Sequence, residues 1–229
     1  MIHRSCGDEV VRILAITDVH GAYDKMESIV REEESADMII VGGDLTTFGT
    51  PLEAEQAIQR LKAFGKPVFV VGGNMDPASL EDTFERLGVS INGRGVVVNE
   101  IGFFGVSAAP VSPLRTPHEI PEEEIKRHAE TGWMDVRQAR TTVFVPHAPP
   151  FNTSVDRTYA GKNVGSKAVR EFIEERQPAV TICGHIHESW GQDRIGETIV
   201  VNCGPAGKGH YALIDIGEKI RVENRQGSG

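Results

Sequence analysis

The sequence predicts one α/β domain built on two facing mixed sheets with helices on their outer sides. Three observations carry this: five short apolar runs punctuate the chain, stretches of helical period separate the early runs, and beyond residue 188 closely spaced β-type runs take over. A chain of 229 residues can bury a substantial core and suits one large domain better than two small ones.

The apolar runs are RILAIT at 12–17, MIIV at 38–41, VFVV at 68–71, TVFV at 142–145 and VTIC at 180–183. Short, continuous and rich in Val and Ile, they read as buried strands. Helical patterns occupy 23–34, 51–64, 77–87 and 166–176, which makes the wiring βαβ. Pro51 and Pro77 suit a first helical turn, with Thr50 and Asp76 as N-caps, and Ser166 can cap the helix that buries Val169, Phe172 and Ile173. GVVVNE and FFGVS in 95–107 read as strands, as do SWGQDRI, TIVVNCG, HYALIDI and KIRVEN after 188. The turns Ile195-Gly196-Glu197 and Ile216-Gly217-Glu218 are short enough for hairpins. Residues 107–141, with Pro110, Pro113, Pro117 and Pro121 ahead of PEEEIKRHAE, read as a surface insertion with one short helix. The NRQGSG end reads as a loose tail, so the domain is expected over 1–225 and the tail over 226–229.

Composition narrows the function classes. At 39% hydrophobic and 25% charged the chain has the make-up of a soluble globular protein, and no run approaches the ~20 apolar residues of a membrane-spanning helix. Polar and charged residues fill MIHRSCGDEVV where a secretory apolar core would lie, so a cytoplasmic location is expected. A net charge of −9 without a basic run argues against broad nucleic-acid binding. Cys6, Cys183 and Cys203 cannot all pair and have no CxxC spacing, and Cys183 and Cys203 read as small buried hydrophobes.

Each of the five buried runs is followed within a few residues by a potential metal ligand: Asp18 and His20, Asp44, Asn74, His147, then His185 and His187. Singly each has an ordinary reading. Asp18 and Asp44 suit turns, Asn74 tolerates a left-handed conformation, and His147 suits a core. Jointly they point to a metal site, because ligands gather beyond the carboxyl ends of strands in α/β sheets. The glycines at 42, 43, 72, 73 and 184 allow tight turns and close backbone approach there. Four His, two Asp and one Asn, without thiolate, suit Mn, Fe, Zn, Co or Ni and are too imidazole-rich for a dedicated Mg or Ca cage. Two divalent ions are expected, since one Asp can bridge cations about 3.5–4 Å apart.

In order, Asp18-Val19-His20, Gly43-Asp44, Gly73-Asn74-Met75-Asp76, His147-Ala148-Pro149 and Gly184-His185-Ile186-His187 resemble the calcineurin-like metallophosphoesterase superfamily over residues 12 to about 204. The resemblance implies a four-layer αββα double β-sandwich of mixed sheets flanked by helices. It implies one metal on Asp18, His20, Asp44 and His187 and another on Asp44, Asn74, His147 and His185, with Asp44 bridging. Asp44, Asn74 and His147 are then the catalytic positions, and a metal-bridging hydroxide attacks a small phosphomonoester or phosphodiester. Three departures stand out: Met75 replaces the usual His, Thr47 stands where many relatives carry Asp, and Pro146 replaces the Gly before His147. Loss of a general acid costs about 10²- to 10⁴-fold. The enzyme is therefore expected either to prefer good leaving groups or to borrow a donor from His118, His128, His210 or Tyr159. Asp76 is left as an N-cap. In PPFNTSVDRTYAGKNVGS, Asn152, Arg157 or Lys162 can meet a phosphate together with Asn74, and a solvated loop is an equal alternative. The competing functions are a metal-binding scaffold and a weak phosphodiesterase or nuclease.

Overall fold

The computed structural model describes residues 10–227, so Cys6 lies outside the described residues. Five strands form the first sheet. Its parallel centre is β1 (Val11–Ile16), β2 (Met38–Gly42) and β3 (Val68–Val71), and β12 (His210–Ile216) and β13 (Ile220–Gln226) add antiparallel on the β1 side, giving the order β13-β12-β1-β2-β3. Six strands form the second sheet: β4 (Gly95–Val98), β5 (Ile101–Val106), β8 (Thr141–Pro146), β9 (Val180–Cys183), β10 (Gly191–Ile195) and β11 (Thr198–Asn202), in the order β10-β11-β9-β8-β5-β4. Its four inner strands are parallel and its two edges are antiparallel hairpins. A two-residue parallel pair joins β6 (Ala109–Pro110) to β7 (Glu119–Ile120).

Side-chain alternation divides the strands between three cores. Along β1, Ile13 and Ala15 face β9 and β11 through Ile182 and Val201, while Leu14 and Ile16 face helices through Met26 and Ile29. The helices on that side are α1 (Tyr23–Glu32), α2 (Pro51–Lys62) and α3 (Leu80–Arg86), which bury Val30, Ile58, Leu61 and Phe84. Beyond the second sheet, α4 (Glu122–Val136) and α5 (Lys167–Arg176) cover Phe104, Phe144 and Val200. Phe104 stacks on Phe144 at 4.8 Å between ring centres and meets Phe172 edge-on at 5.7 Å. The result is the expected helix-sheet-sheet-helix arrangement of mixed sheets.

Local chemistry accounts for several boundaries. Thr50 accepts a hydrogen bond from the Glu53 N–H ahead of Pro51, and Ser166 accepts one from the Val169 N–H, as their sequences predict. Both hairpin turns close as expected. Cys183 and Cys203 are fully buried free thiols. No helix among the described residues is long and apolar enough to cross a membrane.

Three expectations need correction. α3 starts at Leu80 with Ser79 preceding it, so Asp76 caps nothing there. Asn224, Arg225 and Gln226, read as tail, pair with Ala212, Tyr211 and His210 in β13. Residues 107–141 are more than an insertion with a short helix: α4 runs 15 residues and sinks Ile125, Ala129, Gly132 and Val136 against the second sheet. Its many charges hide this stripe, because Glu122, Glu123 and Glu124 fill the first turn where carboxylates suit the helix dipole. Glu122 also accepts from the Lys167 and Ala168 N–H groups, tying α4 to the start of α5. Ile125→Ala is expected to cost about 2–5 kcal/mol in denaturant unfolding, as buried truncations do. Val111→Ser on the exposed loop before it is expected to stay within about 0.5 kcal/mol.

Candidate metal centre

All seven sequence-predicted donors stand on loops that leave the carboxyl ends of parallel strands. Asp18 and His20 follow β1, Asp44 follows β2, Asn74 follows β3, His147 follows β8, and His185 and His187 follow β9. The sheets face each other, so the two sets of loops meet. His185 N–H donates to both carboxylate oxygens of Asp18 at 3.1 Å, crossing between sheets. Asp18, Asp44, Asn74 and His147 are buried, while His20, His185 and His187 are half-buried.

The backbone is bent to bring these groups inward. Asp18, His20, Asp44 and His185 all adopt left-handed φ of 49–68°, a region tolerated best by Asn, Asp and His among residues with a side chain. Asn74, for which the sequence allows that conformation, is not among them. Two glycines are dictated by close approach. A Cβ at Gly43 would stand 2.1 Å from His147 Nδ1, and one at Gly184 would stand 2.2 Å from Asp18 Oδ2.

The donor atoms form two adjoining sets. Asp18, His20 and His187 offer ligand atoms all within 4.8 Å of one another, as do Asp18, Asp44 and His147. His187 Nε2 lies 3.3 Å from Asp18 Oδ1 and 3.3 Å from His20 Nε2. Asn74 Oδ1 lies 3.0 Å from His147 Nε2 and 2.7 Å from His185 Nδ1. Asp44 Oδ2 stands between the sets, 3.6 Å from His20 Nε2 and 3.5 Å from His147 Nε2, while Asp44 Oδ1 accepts the Met75 N–H at 2.7 Å. Imidazole nitrogens and carboxylate oxygens converging this closely are rich in lone pairs, and divalent cations fit them.

Neighbours set the direction of each ring. His147 Nδ1 donates to the Gly42 carbonyl at 2.9 Å and His20 Nδ1 meets Thr47 Oγ1 at 3.0 Å, so both Nε2 atoms face the cluster. Burial, the largest influence on His147, pushes its pKa down, but Asp44 outweighs it through charge and hydrogen bonding. With Asp18 and the Gly42 carbonyl adding, it rises to about 9. Burial and the charge of His147 press His185 down to about 4. The hydrogen bond to Asp18 raises His187. Burial opposes ionisation of Asp18, yet its bond to His187 and the charges of His147 and His187 hold it well below the usual carboxylate range.

Asp76 has a larger part than its place before Pro77 suggests. Its buried carboxylate accepts from the Gly73, Leu45 and Thr46 N–H groups and from Thr46 Oγ1 at 2.7–3.0 Å, binding the loop of Asp44 to the loop of Asn74. Burial and the charge of Asp44 raise its pKa. Asn202 was missed by sequence reasoning: buried at the end of β11, it donates to the carbonyls of Gly184 and Ile186 and so holds the loop of His185 and His187. Its signal was the same one, a polar residue closing an apolar run.

The remaining candidates are spread around this centre. Asn152, Arg157 and Lys162 are exposed, and among the described residues no side-chain hydrogen bond joins them to the seven donors. Their loop rests beside His187, since Ser189 Oγ donates to the Arg157 carbonyl and Tyr159 N–H donates to Glu188. Tyr159 is 89% exposed, His210 is stacked on Trp190 at 4.1 Å, and His128 Nδ1 is 3.0 Å from Asn92 Oδ1. His118 N–H donates to the Asn74 carbonyl at 3.1 Å, so this imidazole belongs to the segment bordering the donors.

Comparison with known proteins adds family membership to this geometry. The family model of the calcineurin-like phosphoesterases matches residues 11–189. An uncharacterized protein of Methanocaldococcus jannaschii is 36% identical over 200 residues, covering 85% of this chain and 88% of that protein. A probable cyclic nucleotide phosphodiesterase of Synechococcus sp. is 25% identical over 179 residues, covering 75% of this chain and 66% of that protein. In fold the chain is similar to the TT1561 protein of Thermus thermophilus, with TM-score 0.74, 18% identity and coverage of 94% and 99%. It is also similar to a dimetal phosphatase of Danio rerio, with TM-score 0.68, 13% identity and coverage of 94% and 96%. With its donors converging at the meeting of two sheets, and with the family model spanning most of its length, the chain belongs to the calcineurin-like phosphoesterase family.

Proposed function

We propose that the protein is a dinuclear metal-dependent phosphoesterase acting on a small phosphomonoester or phosphodiester. The observation that carries this is the place of Asp44 Oδ2, about equally far from an imidazole of each donor set. In this reading Asp18, His20, His187 and Asp44 hold one cation, and Asp44, Asn74, His147 and His185 hold the other. Bound there, a pair of Mn, Fe, Zn, Co or Ni ions would activate water near neutral pH and would offset the charge that builds on phosphoryl oxygens.

The protein's own groups do the rest. Asp44 spends one oxygen on the Met75 N–H and keeps the other for the cluster. His147 is anchored through Nδ1, which leaves Nε2 to exchange a proton for a cation. Asn152, Arg157 and Lys162 serve as phosphate contacts on a loop held against the turn after His187. The net charge of −9 favours a small ester over a polynucleotide, and a cytoplasmic location accords with the two buried free thiols.

A screen of mono-, di- and cyclic phosphoesters with protein reloaded with each metal tests the reading, and the similarity to a probable cyclic nucleotide phosphodiesterase makes cyclic diesters one arm. Hydrolysis by the parent that Asp44→Ala abolishes, together with a loss of bound metal, is the expected result. Two bound metals with no turnover on the panel would favour the scaffold reading, in which Met75 has removed the proton donor.

Thr47→Val removes the group orienting His20 and is expected to weaken metal affinity or activity by about 10-fold, the low end for outer partners of a ligand. Direct metal titration checks it. The pH dependence has a definite sign. Below about 9 His147 keeps a proton that a cation at Nε2 must expel. Mn²⁺ affinity should therefore rise from pH 6 to 9 with proton release, measured by calorimetry in buffers of different ionisation enthalpy. A flat or falling profile would contradict the assignment of His147.

A further inference from the structure

Position 75 offers the centre no polar side chain, and its backbone is already engaged. The Met75 N–H is held by Asp44 Oδ1, and the Met75 carbonyl accepts the Phe48 N–H at 3.0 Å. A phosphoester bound there meets carboxylates, which repel its oxygens, imidazoles directed into the donor cluster, and the Asn74 carboxamide, whose oxygen already faces His147 and His185. A donor that takes the place of a side chain at residue 75 has to come from another segment.

The loop between β5 and α4 brings one. His118 is clamped through its N–H to the Asn74 carbonyl, one residue before Met75, and its own carbonyl accepts the Ala109 N–H at 3.3 Å. The loop is stitched to the centre at its other end too, where Ala108 N–H donates to the Gly72 carbonyl and His147 N–H donates to the Val106 carbonyl, both at 3.0 Å. Within the loop, Glu119 accepts from the N–H and hydroxyl groups of both Ser112 and Thr116 at 2.7–2.9 Å, which fixes the turn ahead of His118. This is a preset position, so little freedom is lost when a ligand arrives.

One nitrogen of the ring is unsatisfied. Its Nδ1 is buried and has no hydrogen-bond partner among the described residues. The charged and titratable groups acting on it are His147 and Asp44 from the centre, and His128 and Glu124 from α4. His128 has its Nδ1 on Asn92 and its Nε2 beside Arg127, so it is committed elsewhere. Buried polar atoms without partners are uncommon, and one beside a functional cluster is a place where a ligand completes the bonding.

We propose that His118 is a substrate-contacting residue that supplies, from the β5–α4 loop, the imidazole hydrogen bond to a phosphoester oxygen that residue 75 cannot make. This rests on the phosphoesterase reading above and assigns that site a further binding residue.

The test uses Mn²⁺-loaded full chain with inorganic phosphate as probe, in the parent, His118→Ala and His118→Asn. Metal content and thermal melting are measured alongside phosphate affinity and, on the best ester of the panel, KM and kcat. The Ala variant keeps the backbone N–H that holds Asn74, so metal content is expected to stay at the parent level. Its phosphate Kd and KM are expected to rise about 10-fold, as for the loss of one hydrogen bond. The Asn variant, which retains an N–H donor, should recover part of that. Unchanged phosphate affinity in His118→Ala would overturn the inference and leave the phosphoesterase reading standing. Loss of metal from that variant would also overturn it, showing that the residue supports the ligand loop instead. A parent that binds metal but neither phosphate nor any ester would overturn both.

Discussion

The apolar contact between the two sheets is the constraint on which the candidate metal centre depends. Neither sheet carries a complete donor set. The first supplies Asp18, His20, Asp44 and Asn74, and the second supplies His147, His185 and His187. Ile13, Ala15, Ile40 and Val71 pack against Val143, Val145, Ile182 and Val201, fully buried, and this packing holds the strand ends of both sheets at one rim. Close-packed interiors resist small sliding motions. Separation of the donor sets is thus opposed by burial along the whole interface, and ordering of the site is shared with folding of the domain.

A second constraint works against this one. Four of the seven donors sit in left-handed backbone, which costs about 1–2 kcal/mol per residue. Such conformations persist where the surroundings over-determine them. Asp76 is part of that surrounding, since its four bonds fix the turn after Asp44 against the turn before Asn74. Asn202 does the same for the loop after β9 through three carbonyls, those of Val155, Gly184 and Ile186. Two buried polar side chains thus hold the bent loops from behind while the donors face forward.

Much of the fold and of the donor set could be read from the chain because their signals are local. Continuous Val and Ile runs mark β1, β2 and β3, Thr50 and Ser166 mark two helix starts, and each donor follows its run by a few residues. What escaped was set by distant contacts. Asp76 before Pro77 satisfies a local capping pattern, yet the groups it binds at Leu45 and Thr46 lie about thirty positions earlier. The stripe of Ile125, Ala129, Gly132 and Val136 in α4 contains two small residues among many charges, so only its packing against Phe104 and Phe172 reveals it as a covering helix. Side chains such as Arg157 and Lys162 make no fixed contacts with the donors among the described residues, and sequence has no periodic signal for exposed loop residues of that kind.

Residue 75 shows how main chain and side chain can hold separate tasks at one position. Asp44 is held by the backbone N–H of Met75, which any residue but proline provides, and the Met75 carbonyl anchors Phe48 in the same way. The placement of Asp44 is therefore indifferent to the side chain at 75. What the side chain decides is the chemistry available at that position, and a thioether has no proton to give. The placement of Asp44 and the chemistry at position 75 can thus vary independently, because the first is held through the main chain of Met75 and the second resides in its side chain. The side chain at 75 can therefore differ without disturbing the main-chain bonds that place Asp44 and Phe48.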